Sequence, residues 1–230
     1  MKIIKEHFFD KINNAKVFTE PFNHLVIDEL LPSELYVSLA KQVNDTKFDD
    51  FDLSYYASGA SRVSVDITNH KLWKNSNASI PTTLQKNNYT LLESRNLNEI
   101  KKFTDCLLDN EEKLYSALKS KLPTDRDQKD YFFHISLVKD GTNYEIAPHP
   151  DDTVNIFTIL FYTPETDCNK EFGLDIYSKD KEPYKKVDFL PNKMIAFAPS
   201  AYSFHGVQRL KDKLVGTRNS FQMFFYTNNN

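Results

Sequence analysis

Hydrophobic patterning changes character near residue 123 of this 230-residue chain. Over residues 97–122 apolar side chains recur every three or four positions, which is the spacing of a helix. The segment predicts one long helix, or two helices broken near Asp109 and Asn110. Helical elements are therefore expected to dominate this part of the chain.

The N-terminal region mixes both periodicities. Residues 21–28 and 62–67 alternate apolar and polar positions and predict strands, whereas residues 44–60 predict a loop. Between them, Leu35, Leu39 and Val43 fall on one helical face, and Ser33 is the expected N-cap of that helix.

Residues beyond 130 form short aromatic and β-branched segments that turn residues separate at intervals of about ten. The expected strands are 132–138, 154–163, 172–178, 187–190, 194–198, 204–208 and 218–227. This rhythm is typical of an antiparallel sandwich or barrel. We therefore predict an α+β fold over one domain, 1–230, with a helical and mixed part at 1–130 and a cupin-like jelly roll (double-stranded β-helix) at 131–227.

Composition excludes several classes of function. The chain has a net charge of −3 and only 5 Gly, and it contains no glycine-rich phosphate loop. Neither a nucleotide-binding cradle nor general nucleic-acid binding is expected. Cys106 and Cys168 are too few for a disulfide framework. The N-terminus has no signal-peptide pattern and no apolar run is long enough to span a membrane, so the expected location is the cytoplasm.

One histidine among six has a carboxylate two residues later, namely His149 with Asp151. Side-chain direction repeats every two residues in a strand, so both side chains would point to one side and converge on a metal. By chance alone such a pair is common in a chain of this composition. The motif gains weight only when a third ligand is found.

His205 is the candidate third ligand. A histidine between Phe204 and Gly206-Val207 would in isolation be a packed strand residue. It follows His149 by 56 positions and several expected strands, however, and a rolled sheet can bring the two together. Two imidazoles and one carboxylate that leave metal positions open form the facial triad of non-haem Fe(II) oxygenases.

Arg218 and Ser220 open the last expected strand and share a face. An otherwise aromatic strand has little structural reason to carry a guanidinium inward unless it binds a carboxylate, which a planar fork can hold through two bonds. A surface arginine at the end of a hairpin is the alternative. The position of Arg218, 13 residues after His205, favours the carboxylate site.

Together these segments resemble the 2-oxoglutarate/Fe(II) dioxygenase superfamily, in particular its prolyl-4-hydroxylase-like branch. The resemblance rests on residues 137–151, on a T-x-x-x-Y strand from Thr158 to Tyr162, and on residues 191–197 followed by 204–207. It covers 131–227 well and 20–45 loosely. The chain differs in having Asp140 where many relatives have a tyrosine, a single Gly173 in place of a glycine pair, and Arg218 where the collagen-modifying members have a lysine.

The resemblance implies catalysis with Fe(II) held by His149, Asp151 and His205, and with 2-oxoglutarate bound through Arg218, Ser220 and Thr158. Ascorbate is a candidate reductant, and O₂ and an unidentified organic or protein substrate are the expected partners. Hydroxylation of a C–H bond is the expected outcome. Two alternatives remain open: a cupin-like metal oxygenase or isomerase that needs no 2-oxoglutarate, and a non-catalytic metal-binding jelly-roll module.

Several other polar residues are given structural interpretations. Arg62, Tyr55 and Tyr56 lie where a lid could sit, although a structural loop is the expected role. His134 is expected to pack or hydrogen-bond within the sheet. Asp175 is expected to be a solvated charge at a strand edge, as are two other acidic residues, Asp152 and Glu171.

Overall fold

A computed structural model describes residues 2–47, 55–56, 62–67, 89–126, 131–166, 170–209 and 216–227. Cys168, which entered the sequence analysis as one of the two cysteines, lies outside these residues. The helices are α1 Lys2–Asn14, α2 Ser33–Asp45, α3 Tyr89–Ser94, α4 Asn98–Leu108 and α5 Glu111–Lys121. The strands are β1 Val17–Phe18, β2 His24–Ile27, β3 Tyr55–Tyr56, β4 Arg62–Asp66, β5 Tyr131–Asp140, β6 Ile146–His149, β7 Asn155–Tyr162, β8 Leu174–Tyr177, β9 Pro183–Val187, β10 Met194–Phe197, β11 His205–Val207 and β12 Arg218–Thr227.

The strands form two antiparallel sheets. The larger sheet has eight strands in the order β1-β2-β10-β7-β12-β5-β4-β3, and the smaller has four in the order β6-β11-β8-β9. Most neighbouring strands in both sheets come from distant parts of the chain, as in a jelly roll. The predicted α+β jelly roll is confirmed, and strands from the N-terminal region complete both edges of the larger sheet.

Each face of the larger sheet has its own hydrophobic core. One face packs on the helices and buries Phe221, Met223 and Phe225 of β12. The other faces the smaller sheet, where Tyr162 belongs to the second core. Because side chains alternate along a strand, Arg218 and Ser220 at the start of β12 point into the space between the sheets.

Aromatic contacts hold the helices on the larger sheet. The Phe103 ring of α4 lies 5.3 Å from that of Phe161 and 4.8 Å from that of Phe221, measured between centroids. Tyr115 of α5 stacks on Tyr131 at 4.2 Å. Large buried rings contribute both apolar area and favourable edge contacts, so these helices are an integral part of the core.

Two expectations about helices need correction or refinement. Ser33 is the first helical residue and Pro32 is the N-cap, and no side chain caps this end, so the prediction of Ser33 as N-cap was wrong. Residues 97–122 form two helices that break at Asp109 and Asn110, the second of the two forms predicted. Helix α1 was not predicted at all.

The strand predicted at 187–190 was misplaced. Strand β9 runs from Pro183 to Val187 and is mostly exposed, so its polar sequence carries no hydrophobic signal. Such polar composition is usual for the edge strand of a sheet. The segment after it forms no strand, and the Phe189 backbone N–H donates instead to the Lys170 carbonyl.

Among the described helices, none has the length and apolar content needed to cross a membrane.

Candidate metal centre and anion pocket

Two histidines face each other across neighbouring strands of the smaller sheet. His149 ends β6 and His205 begins β11, and the two residues are direct partners in the antiparallel register. Their ring centroids are 4.6 Å apart. Strand pairing thus brings together two imidazoles that lie 56 positions apart in the sequence, as predicted.

Both imidazoles are oriented in the same way. The Nδ1 of His149 lies 2.9 Å from the Ala147 carbonyl oxygen, and the Nδ1 of His205 lies 3.0 Å from that of Ser203. A carbonyl oxygen can only accept, so each Nδ1 carries the proton and donates. In a neutral ring with its proton on Nδ1 the lone pair is on Nε2, which is the arrangement that metal-binding histidines require.

Asp151 completes the cluster. Its Oδ1 lies 3.5 Å from Nε2 of His205, and its Oδ2 accepts a hydrogen bond from the Thr158 hydroxyl. Burial would raise the pKa of Asp151, but His205 and Thr158 outweigh it and the pKa is lowered. The carboxylate is therefore ionised at neutral pH.

His149 is also in a state that suits metal binding. Burial, and then the neighbouring His205, lowers the pKa of His149, which keeps its ring neutral at neutral pH. One ligand atom from each of His149, Asp151 and His205 lies within 4.8 Å of the others. Two imidazoles and one carboxylate are a donor set that suits Fe(II), and they are the set predicted from the sequence.

A candidate anion pocket lies on the larger sheet, which faces the sheet that carries the two histidines. Arg218 and Ser220 are almost fully buried, at 1% and 0% exposure. The Nε and Nη2 atoms of Arg218 and the hydroxyl of Ser220 have no hydrogen-bond partner among the residues that the structure describes. Buried polar groups are rarely left unsatisfied, so these donors indicate a site for a ligand. Both residues belong to β12 and are two positions apart, so they share a face of the strand, as predicted.

Tyr162 contributes to the same pocket. It is the register partner of Ser220, and the Arg218 guanidinium carbon lies 5.4 Å from its ring centroid. Its hydroxyl accepts the Leu174 N–H at 3.1 Å, which leaves its own proton for donation to a ligand. Burial raises the pKa of Tyr162, so that proton is retained. The T-x-x-x-Y spacing placed Tyr162 on the Thr158 face, but the sequence interpretation did not assign it to the site.

Asp140 and Arg62 extend the pocket across the sheet. Asp140 is the register partner of Arg218 on one side and of Arg62 on the other. It accepts from Arg218 Nη1 at 3.0 Å and from Arg62 Nε and Nη2 at 2.6 and 2.9 Å. Although burial works against it, the Tyr162 and Asp140 neighbours raise the pKa of Arg218. Arg62 is therefore a strand residue of the pocket rather than part of a loop.

Three further polar residues can be compared with their predicted roles. Thr158 supports Asp151, and its predicted contact with 2-oxoglutarate stays a prediction. His134 is buried and bonds to Ser136 within the sheet, as expected. Asp175, predicted to be solvated, is instead buried and pairs with Lys186 at 2.9 Å. That prediction was wrong because nothing in the sequence reveals its neighbour on β9.

Comparison with solved structures identifies the fold. The chain is similar to a prolyl hydroxylase from Trichoplax adhaerens in complex with a hypoxia inducible factor oxygen degradation domain peptide fragment (TM-score 0.57, 12% identity, 96% of this chain and 88% of that one). It is similar to a Pseudomonas putida prolyl-4-hydroxylase (0.56, 12%, 97% and 99%). It is also similar to dioxygenase for auxin oxidation 1 from Arabidopsis thaliana in a complex with 2-oxoglutarate (0.54, 13%, 95% and 87%).

The resemblance to the prolyl-4-hydroxylase-like branch is thus confirmed at the level of the fold. No family model matches the sequence, and no curated protein matches it.

Proposed function

We propose that this protein is a non-haem dioxygenase that uses Fe(II) and 2-oxoglutarate to hydroxylate a C–H bond of its substrate. The observation that carries the proposal is the pairing of two sites: a His149–Asp151–His205 ligand set and, on the facing sheet, a buried guanidinium with unsatisfied donors. A metal site alone would suit many jelly-roll proteins. The second site would bind the distal carboxylate of a dicarboxylate ligand, which a metal site alone does not require.

The spacing of the two sites suits a five-carbon diacid. Thr158 stands beside the metal ligands and Tyr162 beside Arg218, on one face of β7. Four residues of extended strand cover about 13 Å. This span leaves room for the metal and for an extended dicarboxylate whose far end meets Arg218.

The protein's own residues have distinct tasks in this proposal. His149, Asp151 and His205 hold the metal, and Thr158 fixes the orientation of the Asp151 carboxylate. Arg218, Ser220 and Tyr162 bind the distal carboxylate in a space from which water is excluded. When bound, Fe(II) and 2-oxoglutarate supply the oxidative decarboxylation that couples O₂ to oxidation of the substrate.

The substrate is proposed only by class. One similar structure is a complex with a hypoxia inducible factor peptide fragment, and another is named for auxin oxidation. Protein side chains, prolyl residues among them, and small organic molecules are therefore the candidates for this chain.

Binding and turnover together test the proposal. Protein loaded with Ni(II) as an inert metal should bind 2-oxoglutarate in calorimetry, and protein with Fe(II), O₂ and 2-oxoglutarate should release succinate, faster when a substrate is added. His205→Ala is the matched control, since it removes one ligand atom and should abolish both signals. Metal binding without any affinity for 2-oxoglutarate would overturn the proposal in favour of an enzyme or binding module that needs no such cosubstrate.

A further inference from the structure

Three charged residues form a row across the larger sheet. Arg62 on β4, Asp140 on β5 and Arg218 on β12 are consecutive register partners, and all three side chains meet at one carboxylate. Arg62 contacts both oxygens of Asp140, whereas Arg218 contacts one of them through Nη1. The row is therefore a carboxylate shared unequally between two guanidinium groups.

Asp140 has two opposing effects on Arg218. Asp140 accepts from Nη1 and so orients the Arg218 guanidinium. The remaining donors of Arg218, Nε and Nη2, have no hydrogen-bond partner among the described residues. The negative charge of Asp140, however, would repel any anion that approaches the same guanidinium. The side chains of Asp140 and Arg218 are each only 2% exposed, so water screens this repulsion poorly.

Arg62 changes the balance of charge. An Arg218–Asp140 pair alone is neutral, whereas the three residues together carry one net positive charge. The Arg62 side chain is 17% exposed, and its guanidinium lies 3.9 Å from the centroid of the Tyr144 ring. This stacking, together with the two bonds to Asp140, fixes Arg62 in place.

We propose that Arg62 is a positioning residue for the cosubstrate: it neutralises Asp140, so that Asp140 can orient Arg218 without cancelling the charge that binds the distal carboxylate. The inference rests on the proposed function and deepens it, because it assigns the charge of the anion pocket to a residue that would not itself touch the ligand. The partner chemistry is a 2-oxo acid with a second carboxylate.

A double-mutant cycle tests this role. The variants are Arg62→Gln, Asp140→Asn and the two combined, and the probes are 2-oxoglutarate and 2-oxopentanoate, which has the same 2-oxo acid group but no distal carboxylate. Calorimetry on Ni(II)-loaded protein gives each affinity. Arg62→Lys is the matched control, since it keeps the charge and should retain most of the affinity for 2-oxoglutarate.

The charge balance predicts a specific pattern. Arg62→Gln should weaken 2-oxoglutarate binding on the order of tenfold or more, because the pocket becomes neutral. The double variant should bind 2-oxoglutarate clearly more tightly than Arg62→Gln alone, because replacing Asp140 as well returns the net charge of the row from zero to one positive charge. Binding of 2-oxopentanoate should not change in any of the variants.

Purely structural damage would give a different result. If the double variant bound 2-oxoglutarate as weakly as Arg62→Gln or more weakly, or if 2-oxopentanoate lost affinity in parallel, the proposed role of Arg62 would be refuted. Unchanged affinity in Arg62→Gln would refute it as well. Failure of the proposed function itself is distinguishable, since the unaltered protein would then not prefer 2-oxoglutarate to 2-oxopentanoate.

Discussion

A substitution at Thr158 can distinguish between two roles of this residue, namely support of a metal ligand and direct contact with the cosubstrate. Its hydroxyl donates to Oδ2 of Asp151, the oxygen not directed at His205. Thr158→Val replaces the hydroxyl by a methyl group of similar size. Residue 158 lies inside β7, paired with Phe197 on one side and Phe224 on the other, so the backbone should hold its place. The substitution therefore removes one hydrogen bond and little else.

The expected loss follows from the charge and exposure of Asp151. A hydrogen bond to a charged group contributes about 1.5–3 kcal/mol, and partners of metal ligands typically account for about 10- to 100-fold in metal affinity. The Asp151 side chain is 13% exposed, so water can replace part of the lost bond. We expect the lower end of the range, a loss of about tenfold in metal affinity.

Calorimetric titration with Ni(II) measures this loss directly, and a second titration with 2-oxoglutarate at saturating metal measures the cosubstrate. Thr158→Ser keeps the hydroxyl and should bind metal like the unaltered protein. The reasoning would be refuted if Thr158→Val kept full metal affinity and lost affinity for 2-oxoglutarate. That outcome would instead establish the cosubstrate contact predicted from the sequence.

Three further expectations can be checked separately. Arg218→Ala should weaken 2-oxoglutarate binding by roughly ten- to several-hundredfold and leave metal affinity nearly unchanged, which calorimetry would show; equal affinity would exclude Arg218 from the site. Gly206→Ala should lower metal affinity, because the added Cβ would lie 2.6 Å from the Ile146 carbonyl oxygen. Relief of this clash would push β11 away from β6 and so move His205 away from His149. An unchanged metal titration would contradict this. A fragment of residues 131–230 should aggregate, because it exposes the sheet face that the helices cover; a cooperative melt of this fragment would show that the face tolerates exposure.

The parts of the site that could be predicted are those whose geometry is local. His149 and Asp151 are only two positions apart in the chain, and strand alternation puts Arg218 and Ser220 on one face. The position of His205 beside His149 required only that the sheet roll up. The β core was predictable for the same reason, because alternation is a short-range signal.

The residues whose roles the sequence did not reveal are placed by pairing between strands that are distant in the chain. Arg62 and Asp140 are 78 positions apart, and nothing in either segment indicates that β4 lies beside β5. Residues 62–67 were correctly expected to form a strand, but the sequence does not reveal its neighbour. The departure from tyrosine at Asp140 was visible, whereas its reason became clear only when two guanidinium groups were found on its carboxylate. Asp175 was misread for the same reason.

The charge of the anion pocket should also affect stability, because a buried and incompletely paired charge is costly in the absence of a ligand. Arg218→Met keeps most of the side-chain volume and leaves Asp140 bonded to Arg62, so the pocket becomes neutral. Without ligand this variant should melt at or above the temperature of the unaltered protein. Ni(II)-loaded unaltered protein with 2-oxoglutarate at a hundred times its dissociation constant should gain about 2.7 kcal/mol, or roughly 5–10 °C. Arg218→Met should not show this gain at the same ligand concentration. A ligand-free Arg218→Met protein that melted several degrees lower would show that Arg218 is a structural ion-pair partner, and the unsatisfied Nε and Nη2 donors would then need another explanation.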